Sequence, residues 1–259
     1  MRKYQFIERL AQQANITSEE ATKVNDIIEA HSLIGKKSKE AATEEISSAL
    51  NLSFKSMNSN EEEISKHENR TDELEDIVSS YLVKLSSEEI DKQTSIRVVA
   101  YLKSLNDFER IADYLVNIAK KKTIIERDEV TFSEDAKEEM KLLLEKLFEM
   151  WELSFKAVKE EKVSYSYKAV ALEKIISNIS NKVKENHIKR LQDGKCTFKS
   201  GVILLEILSN IERIAGHLSN VAGYIIDISI NNMNSHENLE EHIENNEIYK
   251  DYLLKNKGI

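Results

Sequence analysis

A helical phrase of fifteen residues occurs twice in this chain, 103 positions apart. The first copy reads Leu105-Asn-Asp-Phe-Glu109-Arg110-Ile-Ala-Asp113-Tyr-Leu-Val-Asn117-Ile-Ala119. The second reads Leu208-Ser-Asn-Ile-Glu212-Arg213-Ile-Ala-Gly216-His217-Leu-Ser-Asn220-Val-Ala222. Leu, Glu, Arg, Ile, Ala, Leu, Asn and Ala recur in register without a gap. A repeat of that period means a duplicated supersecondary unit, so the chain is expected to fold as two related halves. The informative difference is that Asp113 of the first copy is Gly216 in the second.

The halves should be helical. The chain has no proline among its 259 residues, and prolines are what normally punctuate loops and strand edges. Apolar residues recur at three- and four-residue steps almost throughout, as on helix faces. A short helix over Tyr4 to Ala14 and a second from the capping-box sequence Thr17-Ser-Glu-Glu20 to about Gly35 form an N-terminal appendage, residues 1–35. Six longer helices follow. They run from about Ser38 to Met57, Glu61 to Leu85, Ser86 to Ile124, Ser133 to Lys159, Ser164 to Leu191, and from just after Cys196 to Ile230. Gln192-Asp-Gly194 stops the fifth. The first three make one unit, residues 36–127, and the next three its copy, residues 128–231. An acidic tail, 232–259, carries a last short helix from Leu239 to Leu254 that either docks or frays. The expected fold is all-α: a tandem pair of three-helix bundles with six long antiparallel helices.

No apolar run approaches the length needed to cross a bilayer, and the first residues lack the apolar segment of a signal peptide. The formal net charge of −9 leaves no basic stripe to neutralise phosphates, which argues against a nucleic-acid partner. The lone Cys196 can form no internal disulfide and fits a reducing compartment. No histidine or lysine adjoins it in a recognisable arrangement, so it reads as a small, semi-buried residue at a helix start.

Glu109 and Asp113 stand at i and i+4, so they share a helical face and can share a ligand. Leu105, Phe108, Ala112, Leu115 and Ala119 form the neighbouring stripe expected to face the core. The second helix offers the same spacing in Glu68-Asn-Arg-Thr-Asp72. Four hard oxygen donors from two packed helices suit iron, manganese or magnesium, and zinc less well. Each pair alone would more commonly be solvated surface, neutralised by Arg110 or Arg70. In the second unit the expected counterpart is Glu173-Lys-Ile-Ile-Ser177, so both aspartates are replaced there while Glu173 and Glu212 remain. A weaker site is expected in that unit. His217, beside Gly216, points about a hundred degrees away from it and is not expected to substitute.

The Leu105–Ala119 phrase resembles the signature of PhoU-like proteins, regulators of phosphate uptake. Glu185-Asn-His-Ile-Lys-Arg-Leu-Gln-Asp-Gly-Lys-Cys196, then Gly201 and Ile207-Leu-Ser-Asn-Ile-Glu-Arg213, is similar to the C-terminal domain of bacterial sodium/phosphate cotransporters. The resemblance spans about residues 36 to 255. It implies a non-enzymatic regulatory domain in the cytoplasm beside a membrane phosphate transporter, in cis or in trans, with a homodimer also open. It further implies multinuclear iron or zinc at Glu68, Asp72, Glu109 and Asp113, with Glu173 and Glu212 matching half of that pattern. A carboxylate-bridged metalloenzyme would need Glu-x-x-His pairs facing the bundle interior, and no histidine here has a glutamate three residues before it. A structural adaptor with a solvated acidic stripe is the other reading. The appendage, whose apolar residues have no counterpart in the repeat, is either a connector to a membrane domain or a cap on the bundle.

Overall fold

A computed structural model of the chain describes residues 79, 83, 92–160, 162–230 and 239–257. The appendage, the Ser38–Met57 helix, most of the Glu61–Leu85 helix, the capping-box sequence Thr17-Ser-Glu-Glu20 and the acids Glu68 and Asp72 lie outside the described residues. Among the described residues every regular element is an α-helix. They are α1 (Lys92–Arg127), α2 (Glu134–Glu160), α3 (Val163–Gln192), α4 (Phe198–Ser229), α5 (Leu239–Asn245) and α6 (Glu247–Lys255).

Local chemistry sets the helix ends. α1 gives way at a tight turn in which Glu129 takes a φ of 48°, a left-handed conformation costly for a side-chain-bearing residue. Ser133 then opens α2, its Oγ accepting from the Ala136 amide at 3.3 Å. Gly194, at φ 67°, turns the chain out of α3, where left-handed geometry costs glycine least. α4 opens on a capping box: Thr197 accepts from the Ser200 amide, and Ser200 Oγ accepts from the Thr197 amide.

α2, α3 and α4 pack on one another as a three-helix unit, and α1 lies along α4. The core is built from heptad-like rows: Met140, Leu143, Leu147 and Met150 on α2, and Leu204, Ile207, Ile211, Ile214 and Leu218 on α4. Each such side chain, fully buried, contributes about 1.5–3 kcal/mol relative to exposure. On α1 the deepest residues are Ile111, Ile118 and Ile125, seven apart. The expected stripe is therefore turned: Phe108 and Leu115 pack only partly against the core, while Leu105 and Ala119 are buried. α1 buries two sides, and a single-stripe reading cannot separate them.

The acidic tail docks. Ile243 and Tyr249 are buried against Tyr167 and Ala171 of α3, with Tyr167 Oη hydrogen-bonded to His242 Nε2 at 2.8 Å. The expected single helix is split at Asn246, whose side chain caps α6 by accepting from the Ile248 amide. Tyr252 donates to Glu149 of α2, which fixes α6 from a second side. No helix among the described residues is long and apolar enough to cross a membrane.

Candidate functional site

The two motif copies run along one another. Three contacts set their register: Lys121 with Glu206 at 2.7 Å, Arg213 with the Tyr114 hydroxyl at 3.3 Å, and Asn220 with Asp107 at 3.1 Å. Along α1 the partners step down by seven while along α4 they step up by seven, so the helices are antiparallel and share a heptad seam. That register places Ala112 opposite Ala215, its own counterpart in the repeat. An approximate two-fold axis relating the two motif copies therefore passes between two alanines, whose small side chains permit close helix approach. Tyr114 and His217 are also counterparts, and they stack with ring centroids 5.6 Å apart.

Asp107 breaks this symmetry, since its counterpart is Asn210. Its carboxylate is buried, with Oδ1 accepting from His217 Nδ1 at 2.7 Å and Asn220 Nδ2 at 3.1 Å. The Tyr224 hydroxyl titrates well above the ordinary phenol range, because of burial first and then the carboxylates of Asp107 and Asp227. His217 is thus a structural partner of Asp107, consistent with its expected direction away from the acid face.

Glu109 and Asp113 do share a face of α1. Their side chains are 26% and 36% exposed. Arg110 reaches both, at 3.6 Å to Glu109 and 3.5 Å to Asp113. At those lengths and exposures the pairs are weak and readily exchanged. Two hard oxygen donors one turn apart fit half of a four-carboxylate set. The other half, Glu68 and Asp72, lies outside the described residues, and among the described residues no three His, Cys, Asp or Glu gather as a metal site.

In the second unit Glu212 pairs with Lys184 of α3 at 2.6 Å, so a lysine ammonium stands where a cation would. Among the described residues nothing lies within 4 Å of where a Cβ on Gly216 would sit. Glu173 is eleven residues before Lys184, about 16 Å along the helix at 1.5 Å per residue. Its carboxyl is raised by burial, against the pull of Lys174, and it lies near Tyr249 of the docked tail. Glu212 is thus joined to Lys184, and Glu173 sits three turns off along α3. Matching the two by distance along the sequence ignores the five-residue turn between α3 and α4.

Sequence reasoning missed two features. A buried acid on the seam left a signal, because Ser104, Asp107, Ile111, Tyr114 and Ile118 alternate three- and four-residue steps. Beside Cys196 the fold brings His187, nine residues earlier, with Nδ1 3.8 Å from Sγ. The reading that no histidine adjoins Cys196 is corrected here: the Gly194 turn folds the end of α3 back onto the start of α4.

The model of the family described as PhoU domain matches residues 40–121 and 140–225, and each stretch contains one copy of the motif. A similar curated protein is the phosphate-specific transport system accessory protein PhoU homolog 1 of Thermotoga maritima. It is 22% identical over 188 residues, covering 71% of this chain and 80% of that one. Among solved structures, the phosphate transport system regulatory protein PhoU from Streptococcus pneumoniae aligns with a TM-score of 0.66 at 14% identity, over 80% of this chain and 95% of that one. PhoU from Pseudomonas aeruginosa aligns with a TM-score of 0.70 at 13% identity, over 81% and 98%. These two likenesses show a shared helical fold. The matched stretches cover more than half of the sequence and coincide with its duplication, and the chain belongs to the PhoU domain family.

Proposed function

We propose that this chain regulates phosphate transport by contacting a membrane phosphate transporter at its cytoplasmic side, without itself catalysing a reaction. The observation that carries this is the match of both motif-bearing halves to the PhoU domain, whose relatives here are named as accessory and regulatory proteins of phosphate transport. Similarity of the Glu185–Arg213 stretch to cotransporter domains supports a sodium/phosphate cotransporter as the partner, in cis or in trans. Glu68, Asp72, Glu109 and Asp113 are the proposed ligands of iron or zinc. A bound cation would displace Arg110 from its two acids and draw the second and third helices of the first unit together.

A structural adaptor without metal is the second reading, favoured by Arg110 already sitting between Glu109 and Asp113. Uptake of labelled phosphate by cells with and without the chain tests the regulatory reading. Altered uptake on deletion, restored by the wild-type chain, is expected. Identical uptake in both would remove it.

A further inference from the structure

The duplication does not supply the docked C-terminal helices. The third helix of the first unit, α1, ends at Arg127, and the chain re-enters α2 at Glu134. The third helix of the second unit, α4, ends at Ser229, and the chain goes on to α5 and α6. These two cover an apolar strip made by Val163, Tyr167, Val170 and Ala171 of α3 with Ile226 of α4. Tyr252 and Asn256 of the tail extend the contact onto α2, at Glu149 and Lys146.

Their hold is slight. Each helix buries one side chain, Ile243 in α5 and Tyr249 in α6. With seven and nine residues, neither helix is long enough to persist alone in water, so leaving the strip and unfolding are one event. The other ties are polar and exchangeable with water: Tyr167 with His242, Tyr252 with Glu149, and Lys146 Nζ donating to Asn256 Oδ1 at 3.1 Å. Acids crowd the dock. The Tyr249 hydroxyl is pushed above the ordinary phenol range by burial first, then by the carboxylates of Glu244 and Glu173. An element held by two anchors against such crowding belongs to the low-stability end of a fold, from which switching elements are drawn.

We propose that residues 239–257 are a releasable strap, and that the strip beneath them is a docking site for a short amphipathic helix, which the strap occupies in cis. The occupant shows what the site takes: Ile243, then Tyr249 and Tyr252 one turn apart, with Glu149 and Lys146 of α2 receiving the polar groups. Residues 231–238 tether the strap to α4, which gives it an effective concentration on the order of millimolar. An untethered helix of the same chemistry is therefore shut out until the strap leaves. Resting on the transporter-contact reading above, release opens this face of α3 and α2 to the partner.

A fluorescent peptide of residues 239–257, titrated onto the whole chain and followed by anisotropy, tests this. Binding to the wild type should be weak, because the strap is in place. Tyr249→Ala in the chain removes one anchor of the strap and should tighten peptide binding at least about tenfold, with circular dichroism unchanged. A peptide that itself carries Tyr249→Ala should bind neither chain. In the wild type, hydrogen exchange should find the Tyr252 and Leu253 amides of α6 opening at least about tenfold more often than those of Leu172 and Ile176 in α3. Equal peptide binding by the two chains, no binding by the Tyr249→Ala chain, or α6 opening only together with α3 overturns the proposal. Neither readout involves transport, so failure here leaves the phosphate-transport reading standing, and unchanged phosphate uptake leaves the strap standing.

Discussion

His217 of α4 is hydrogen-bonded at 2.7 Å to the buried carboxylate of Asp107 on α1, joining the two copies of the repeat across their antiparallel seam. Removing one partner leaves the other buried and underpaired, which typically costs about 1–3 kcal/mol. His217→Ala and Asp107→Ala should each lower stability by that order in urea unfolding. The double mutant should fall short of their sum by more than about 0.5 kcal/mol, as expected for residues in contact.

The His187–Gly201 contact leaves no room for a methyl group. Gly201→Ala should destabilise by about 1–3 kcal/mol, the usual cost of overpacking, whereas Gly194→Ala should suffer from backbone strain and not from a clash. The pH dependence has a definite sign. Burial, then Arg190, holds the His187 imidazole below its ordinary 6.5, against the opposing pull of Glu139. The unfolded chain thus takes up the proton first. Stability is full above pH 6.5 and falls as pH drops through that value, and His187→Gln should flatten this part of the profile.

Gly216 stands in a helix interior, and none of the described residues lies within 4 Å of where its Cβ would sit. Gly216→Ala should therefore stabilise by up to about 1 kcal/mol, since only the helix penalty of glycine is removed. Thermal melting reads this directly. A loss of stability would mean that something packs where the structure shows room.

Glu173 carries a carboxyl raised by burial, with Lys174 opposing. Its folded-state value lies above the unfolded one, so the cost of its charge appears as pH rises through that window and persists at neutral pH. Glu173→Gln should raise the melting temperature at pH 7 and change it little at pH 4. Equal effects at both would show that the carboxylate charge is not what costs stability.

The helices were legible because their signals are local: apolar spacing, Ser133 as a cap, Gly194 as a stop and no proline anywhere. The duplication was legible in the motif itself. What stayed hidden depends on how helices meet. Neither the seam that pairs Asp107 with His217, nor the lysine that occupies Glu212, follows from spacing along one helix. The docked tail was undecidable for the same reason, since Tyr249 and Ile243 find their partners on α3. Glu109 and Asp113 share the expected face, while their expected partners Glu68 and Asp72 fall outside the described residues.

The divergence of the two copies is best tested by metal analysis of chain purified without chelator. Iron or zinc should accompany the wild type, be largely lost from Asp113→Ala, and be retained by Glu212→Ala, whose carboxylate is already held by Lys184. Metal content unchanged in Asp113→Ala, or absent from the wild type after exposure to iron and zinc, would contradict the assignment of the first unit as the ligand-bearing half.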